Sequence, residues 1–338
     1  MKKPTIKDVA KASGFSLSTV SLSLNNDPRI SEATREKVRA AAAQLDYHVN
    51  VNARGLVSKY TNIVSVCVPA LSHVFSDIYF GEIISGIYDE ASSKNYKILL
   101  DIAKEPFIKQ REYLSILRSR RADGMLFVAS SIEDQYLRDF EQANHPFLLV
   151  NHYFPESTLD HVMVDYVDAA QQAAEHLCGL GHKNIALIVG DNTFTGIDFR
   201  LSFETACSEF DEAERTVTAH SSTWDEHGGF EAARAILEAH PHTTAIMAAN
   251  DRMAMGAMHY LQSNDIAVPG QVSVMGMDNI PAGEYTTPAL TTLHPDLYQL
   301  GRDACAALLQ RIRGEIQSVS ETRPVSLVPR NSTGPVRA

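Results

Sequence analysis

Leu17, Ser18, Ser21 and Leu22 share the outer side of a short amphipathic stretch, Leu17–Asn25. Small hydroxyls and apolar tips at that spacing suit the edges of base pairs in a major groove. A second pair of groups lies far along the chain. Arg200 follows a polar loop after an apolar run, and Asp278 follows the run Val272–Met277. A guanidinium and a carboxylate held at two strand ends suit a polyol, one donating a fork of N–H groups and the other accepting hydroxyl protons.

Local elements must position the first group. Ile6, Val9 and Ala10 fall on one side of a first helix, and Val20 and Leu24 point inward from a second. Gly14 sits at the turn between them. Ser31 is a suitable N-cap for a third helix, with Glu32 in its first turn and a stripe at Val38, Ala41, Ala42 and Leu45. This is the plan of a helix-turn-helix, whose second helix enters the major groove. A plain helical hairpin that only packs is the alternative. The stretch Asn50–Ser58 is too short and polar to hold a helix alone. It reads as a linker or as a segment that becomes helical on binding.

From Asn62 onward, apolar runs alternate with helical patterns. Strands are expected at 63–68, 97–100, 124–128 and 146–150. A second set is expected to begin at Val162–Val164 and continue at 185–189, 245–248 and 272–275. Helices fall between them, including one through Ala169–Leu180 ended by Gly181. Such alternation implies two parallel sheets covered on both faces, with ligands at the carboxyl ends of strands. The cleft between two such lobes is the expected site.

Charge separates along the chain. Residues 1–60 carry ten Lys/Arg against five Asp/Glu, a net +5, while the whole chain is −11, leaving −16 for the remainder. A basic head on an acidic body places phosphate affinity at one end. No signal peptide or membrane-length apolar run is visible, so a cytoplasmic protein is expected. Cys67, Cys178, Cys207 and Cys305 are far apart and read as reduced thiols without metal spacing. The sequence contains no nucleophile elbow, Walker loop, dinucleotide fingerprint or metal cluster, so no enzyme, cofactor or metal is expected.

The chain resembles the lactose-repressor (LacI) family of regulators. The likeness rests on Thr5–Ala10, Thr19-Val20-Ser21, Leu24-Asn25, Arg29-Ile30-Ser31, Thr34-Arg35, Tyr47, Asn50, Ala53-Arg54 and Leu56. In the body it rests on Asp123–Leu126, Leu180–Ala186, Ala249-Asn250-Asp251, Val268-Pro269, Val272–Asp278 and Pro288–Thr292. The resemblance implies an all-α helix-turn-helix head (1–48), a hinge (49–61) and a two-lobed periplasmic-binding-protein-like α/β body (62–338). By analogy one lobe spans about 62–163 and 294–321, the other about 164–293 and 322–338, with three crossings.

The resemblance also implies roles. Leu17, Ser18 and Leu22 stand where base edges are read. Leu22 replaces a common Arg and can offer only apolar contact, so operator preferences do not carry over. Ser16, Ser21, Asn25 and Thr34 match phosphate contacts, and Thr5, Arg29, Asn50 and Ala53 lie in the same DNA-facing motif. Leu56 matches a minor-groove wedge. Tyr79, Phe80, Asn151, Asp165, Phe194, Arg200, Trp224, Asn250 and Asp278 match the effector cleft. Phe194 stands where purine-responsive relatives carry an Arg, which favours a carbohydrate. The expected protein is a homodimeric repressor that binds an inverted-repeat operator, with a small ligand in its cleft. The alternatives are a regulator answering to a purine-like co-repressor or a phosphocarrier protein, and a sugar-binding protein with no DNA role.

Overall fold

The computed structural model describes residues 4–24, 26–47, 60–71, 74, 77–190, 193–210, 216–221 and 223–336. The chain divides into two compact units, Met1–Thr61 and Asn62–Ala338.

The first unit holds α1 (Ile6–Ser13), α2 (Leu17–Leu24) and α3 (Glu32–Gln44). Its core is Val9, Val20 and Val38, all fully buried, with Ala41 and Ala42. Ile6, Ala10, Phe15, Leu24, Leu45 and Tyr47 pack around them. Burying each valine contributes roughly 1.5–3 kcal/mol, which a domain this small needs. Capping sets the helix ends. The Thr5 N–H donates to Asp8 Oδ2 at 2.8 Å, closing the start of α1. Gly14 ends that helix with φ 73°, where a side chain would be strained. The Ser16 hydroxyl accepts from the Thr19 N–H at 3.1 Å at the head of α2. Ser31 caps α3, and the Arg35 guanidinium donates to the Ile30 carbonyl at 2.8 and 2.9 Å, fixing the preceding turn. One detail departs from expectation. Ser23 is fully buried beside Val20, because the inward stripe of α2 takes i+3 as well as i+4.

The body contains two six-stranded sheets. The first has the order β11-β5-β4-β3-β1-β2, with β1 Ile63–Pro69, β2 Lys97–Ala103, β3 Gly124–Val128, β4 Phe147–Val150, β5 His161–Val164 and β11 Ser320–Arg323. Every pairing in it is parallel. The second has the order β12-β10-β9-β8-β6-β7, with β6 Asn184–Val189, β7 Thr216–Ser221, β8 Ala245–Ala248, β9 Ser273–Met277, β10 Thr291–His294 and β12 Ser326–Val328. Its edge strand β12 is antiparallel to β10, a departure from the all-parallel expectation. The strand containing Val162–Val164 belongs to the first sheet, where it pairs with β4 and β11, and does not open the second set. The chain passes from one sheet to the other after β5, after β10 and after β11.

Helices cover both faces, so the central strands are buried throughout. In the first lobe α4 (Ile78–Ser93) packs on α11 (Leu297–Arg313), with α5 (Glu105–Lys109) and α6 (Glu112–Arg118) on the opposite face. In the second, α7 (Tyr166–Gly179) packs on α8 (Phe194–Glu209), and α9 (Glu226–Ala239) on α10 (Asp251–Ser263). The α4/α11 and α9/α10 pairs both cross through glycines. A Cβ on Gly301 would overlap the Ile83 carbonyl, and one on Gly229 the Met253 carbonyl. No helix among the described residues is long and apolar enough to cross a membrane.

Gly301→Ala should therefore push α11 off α4. Overpacking of this kind costs about 1–3 kcal/mol. Thermal unfolding should show a midpoint lower by several degrees, and an unchanged midpoint would mean the helices separate freely.

Candidate functional site

Two places gather the chemistry-bearing residues, one in each unit. On the head, Leu17 and Ser18 are exposed, and Ser21 and Leu22 are half-buried on the same helix. Leu17 keeps 44% of its surface and does not pack on the valine core. Leu22 is not among the residues packed on the valine core. The other polar positions have local partners. Ser16 caps α2, and the Thr34 and Ser31 hydroxyls are hydrogen-bonded at 2.9 Å. The Thr5 hydroxyl donates to Asp8 at 2.7 Å. Arg29 grips Asp27 through Nε and Nη2 at 2.9 and 2.8 Å. Those bonds hold the Asp27 carboxyl down at about 2. Asn25, Asn50, Ala53 and Leu56 lie outside the described residues.

In the body, a cavity of about 220 Å³ lies at the carboxyl ends of strands from both sheets. Ala129 to Ser131 follow β3, Asn151 follows β4, Ala249 and Asn250 follow β8, and Asp278 follows β9. Three of these strand ends turn through left-handed backbone without glycine: Ala129 at φ 47°, Asn151 at 55° and Asp278 at 112°. Such conformations cost of order 1–3 kcal/mol each and persist where the surroundings impose them. The walls are aromatic, with Tyr79, Phe80, Tyr166, Phe199 and Trp224.

A hydrogen-bond frame orients these walls. Asn151 Oδ1 accepts from the Val164 N–H at 3.1 Å, so its Nδ2 faces and donates to the Tyr79 and Tyr166 hydroxyls at 2.6 and 2.8 Å. Asn250 caps α10 by accepting from the Met253 N–H at 2.7 Å and donates to the Trp224 carbonyl at 3.1 Å. The Trp224 ring lies over Gly190, where a Cβ would strike the indole. Arg252 joins the two lobes at the cavity wall. It donates to Asp77, the cap of α4, at 2.7 Å and to both oxygens of Glu226 at 2.9 and 2.7 Å. A further link runs from the Tyr153 hydroxyl to Asp198 at 2.7 Å.

Electrostatics in the cavity are dominated by carboxylates. Desolvation, reinforced by the negative charges of Asp251 and Asp77, raises the Asp278 carboxyl well above its usual range. Burial likewise raises Asp251, to about 7, against hydrogen bonds from Thr292 Oγ1 at 2.5 Å and the Ile280 N–H at 2.8 Å. Burial raises the Tyr79 and Tyr166 phenols too, with Asp278 adding to both. Hydrogen bonding to Glu226, and then that residue's charge and Asp77, keep Arg252 firmly protonated.

Six of the expected cleft residues line this cavity: Tyr79, Phe80, Asn151, Trp224, Asn250 and Asp278. Three do not. Asp165 is the N-cap of α7, accepting from the Asp168 N–H at 3.0 Å. Phe194 is drawn into an aromatic cluster with His152, Tyr153 and Phe154, at 6.2, 6.0 and 6.1 Å between centroids. Arg200 lies one helical turn from Glu204 and pairs with it at 3.5 Å. The expected guanidinium–carboxylate pair facing a ligand is therefore not assembled from Arg200 and Asp278. Sequence reasoning missed Tyr166, Ser130, Thr195 and Arg252. The first two directly follow strands, so the strand-end rule applied to every strand would have reached them.

Comparisons with known proteins match both units of the chain. The description "Bacterial regulatory proteins, lacI family" matches residues 5–50, and "Periplasmic binding protein-like domain" matches residues 174–333. The HTH-type transcriptional regulator DegA of Bacillus subtilis is 33% identical, covering 99% of both chains. The chain belongs to the LacI family. The HTH-type transcriptional repressor PurR of Vibrio parahaemolyticus is 32% identical over 91% of this chain and 92% of that protein. Among solved structures, a Lac repressor dimer bound to operator and the anti-inducer ONPF superposes with TM-score 0.87, at 26% identity over 98% of this chain and 100% of that one. This LacI-family member is thus a DNA-binding transcriptional regulator with an effector-binding body, and its relatives are regulators, not enzymes.

The raised carboxyls give the body a signed pH dependence. Asp251 and Asp278 hold protons more tightly folded than unfolded, so their contribution to stability is present at low pH and falls as pH rises, for Asp251 through about 7. His152, lowered by burial from 6.5 to about 4, acts oppositely and chiefly below its unfolded value. Unfolding midpoints measured from pH 6.5 to 8 should therefore decline. Asp251→Asn should flatten that decline, and an unaltered slope in the variant would contradict the assignment.

Proposed function

We propose that this LacI-family regulator is a repressor that binds an inverted-repeat operator as a homodimer. The α2 helix enters the major groove, with Leu17, Ser18 and Leu22 at base edges. Ser16, Ser21 and Thr34 face phosphates, which position the head without specifying sequence. The support is the exposure of Leu17 and Ser18 on a helix whose opposite side is locked into the valine core. Leu22 offers only apolar contact, suited to a thymine methyl.

The ligand is proposed to be a carbohydrate in the body cavity. The observation that carries this is the ring of aromatic walls around Asp278, Asn250 and Ser130 at strand ends. Aromatic faces bury the apolar face of a sugar ring, while a carboxylate and amide pair its hydroxyls. Phe194, turned into its own aromatic cluster, leaves no cation at the position expected to distinguish a purine. Residues from both lobes line the cavity, so ligand binds one lobe arrangement better than another, and only that difference shifts operator affinity. A coupling of about 1–3 kcal/mol is ordinary for such a switch.

Two substitutions test the two halves. Leu17→Ala should weaken operator binding at fixed salt by about 1–2 kcal/mol of lost apolar burial while leaving random-sequence DNA binding unchanged. Equal losses on both DNAs would remove Leu17 from base readout. Trp224→Ala should abolish the ligand-dependent change in operator affinity in anisotropy titrations, and a wild-type midpoint for that change would move the effector site elsewhere. A thermal-shift screen of sugars, sugar acids and nucleobases identifies the ligand class, because binding to the folded form raises its midpoint.

A further inference from the structure

We propose that the cleft ligand is a hydroxylated ring bearing a protonated amine, seated with its ammonium against Asp278. This rests on the carbohydrate reading above and adds the charge of the ligand to it.

The first observation is the charge inventory of the cavity. Asp77, Asp134 and Asp278 line it, and Arg252 is the one cation among the described lining residues. Arg252 is already satisfied by two carboxylates, Asp77 and Glu226. The groups whose charge acts on Asp278 are Asp251 and Asp77, both acidic. Its carboxylate has no hydrogen-bond donor among the described residues. A carboxyl grouped with other acids and given no counter-charge is costly to ionise, and a cation that enters with the ligand removes that cost. An anionic ligand, such as a sugar acid or sugar phosphate, would be repelled by the same inventory.

The second observation is independent of charge. Ser130 lines the cavity at the end of β3, keeps only 4% of its surface, and its Oγ has no hydrogen-bond partner. A buried orphan hydroxyl of this kind is expected where a ligand group completes the bonding. It lies on the first lobe, whereas Asp278 lies on the second. The ligand must therefore present polar groups on two sides.

The third observation is the wall chemistry. Tyr79, Tyr166 and Trp224 supply electron-rich faces around the acidic floor. An ammonium gains from such faces as well as from a carboxylate. Its three donors match an acceptor-only carboxylate, and the ring hydroxyls are left for Ser130 and Asn250. A neutral sugar would use the aromatic walls but bring no cation to a carboxyl set among acids.

The test uses the full-length protein and the free amines of glucose, galactose and mannose. Each is compared with its parent sugar, its N-acetyl derivative and the parent 6-phosphate, by thermal shift and calorimetry at pH 7. One free amine should bind roughly ten- to a hundredfold tighter than its parent and its N-acetyl form, the range of a charge-assisted hydrogen bond. Asp278→Asn should erase that preference. A parent sugar binding as tightly as its amine, or a 6-phosphate binding tighter, overturns the amine but keeps the carbohydrate. A shift only with nucleobases overturns both. The unliganded protein gives a measurement that needs no ligand. Because Asn tolerates the backbone at residue 278 and carries no charge, Asp278→Asn should raise the unfolding midpoint of the free protein at pH 8. A midpoint unchanged or lowered would mean that the carboxylate is satisfied without a ligand, and the proposal fails.

Discussion

A carboxyl that lines the cavity among other acids, with no cation beside it, is the constraint around which the body is organised. Asp278 sits at the end of β9 with a backbone at φ 112°, and the charges acting on it are acidic. Folding tolerates this because its neighbours are fixed independently. Asp251, the first residue of α10, is held by Thr292 and the Ile280 N–H. Those bonds pin the segment after β9 to the start of α10. Gly276 is required there, since a Cβ would strike the Asp251 carboxylate. The backbone that carries Asp278 is therefore fixed from both sides.

The same logic governs the opposite wall. Asn151 spends its amide on Val164 and on two tyrosines, which fixes both phenols before any ligand arrives. Preorganisation of this kind lowers the ordering cost of binding. The two lobes are joined at the cavity by Arg252 with Asp77 and at a second point by Tyr153 with Asp198. A half-exposed ion pair such as Arg252–Asp77 contributes little net stability, typically below about 1 kcal/mol. Its weakness suits a joint that must reopen, since a ligand offers only its differential affinity to move the equilibrium.

Much of this was legible in the sequence, for identifiable reasons. The head helices announced themselves through the cap at Ser31, the turn at Gly14 and a valine–alanine stripe. The central strands are continuous apolar runs because both faces are covered. The edge strands β7, β11 and β12, and β10 beside the edge, were missed: they are mixed in polarity and defined by their neighbours more than by their own residues. Val162–Val164 was placed in the wrong set because a strand carries no mark of which sheet it joins. In the cleft, Trp224, Asn250 and Asp278 were found by position. Arg200 and Phe194 lay near the same loop but turned elsewhere, toward Glu204 and toward the His152–Phe154 cluster. Side-chain direction on a helix depends on its rotation, which no local pattern specifies.

The central claim is that the Asp278 carboxyl has no compensating cation in the free protein. Carbon-13 NMR of aspartate side-chain carboxyls, titrated from pH 3 to 9, measures this directly, with Asp278→Asn assigning the resonance. The account predicts that the Asp278 carboxyl titrates well above the usual aspartate range, so that it still holds its proton where exposed aspartates have lost theirs. A titration at or below that range would show a satisfied, ion-paired carboxylate, and the account of the cleft would be wrong.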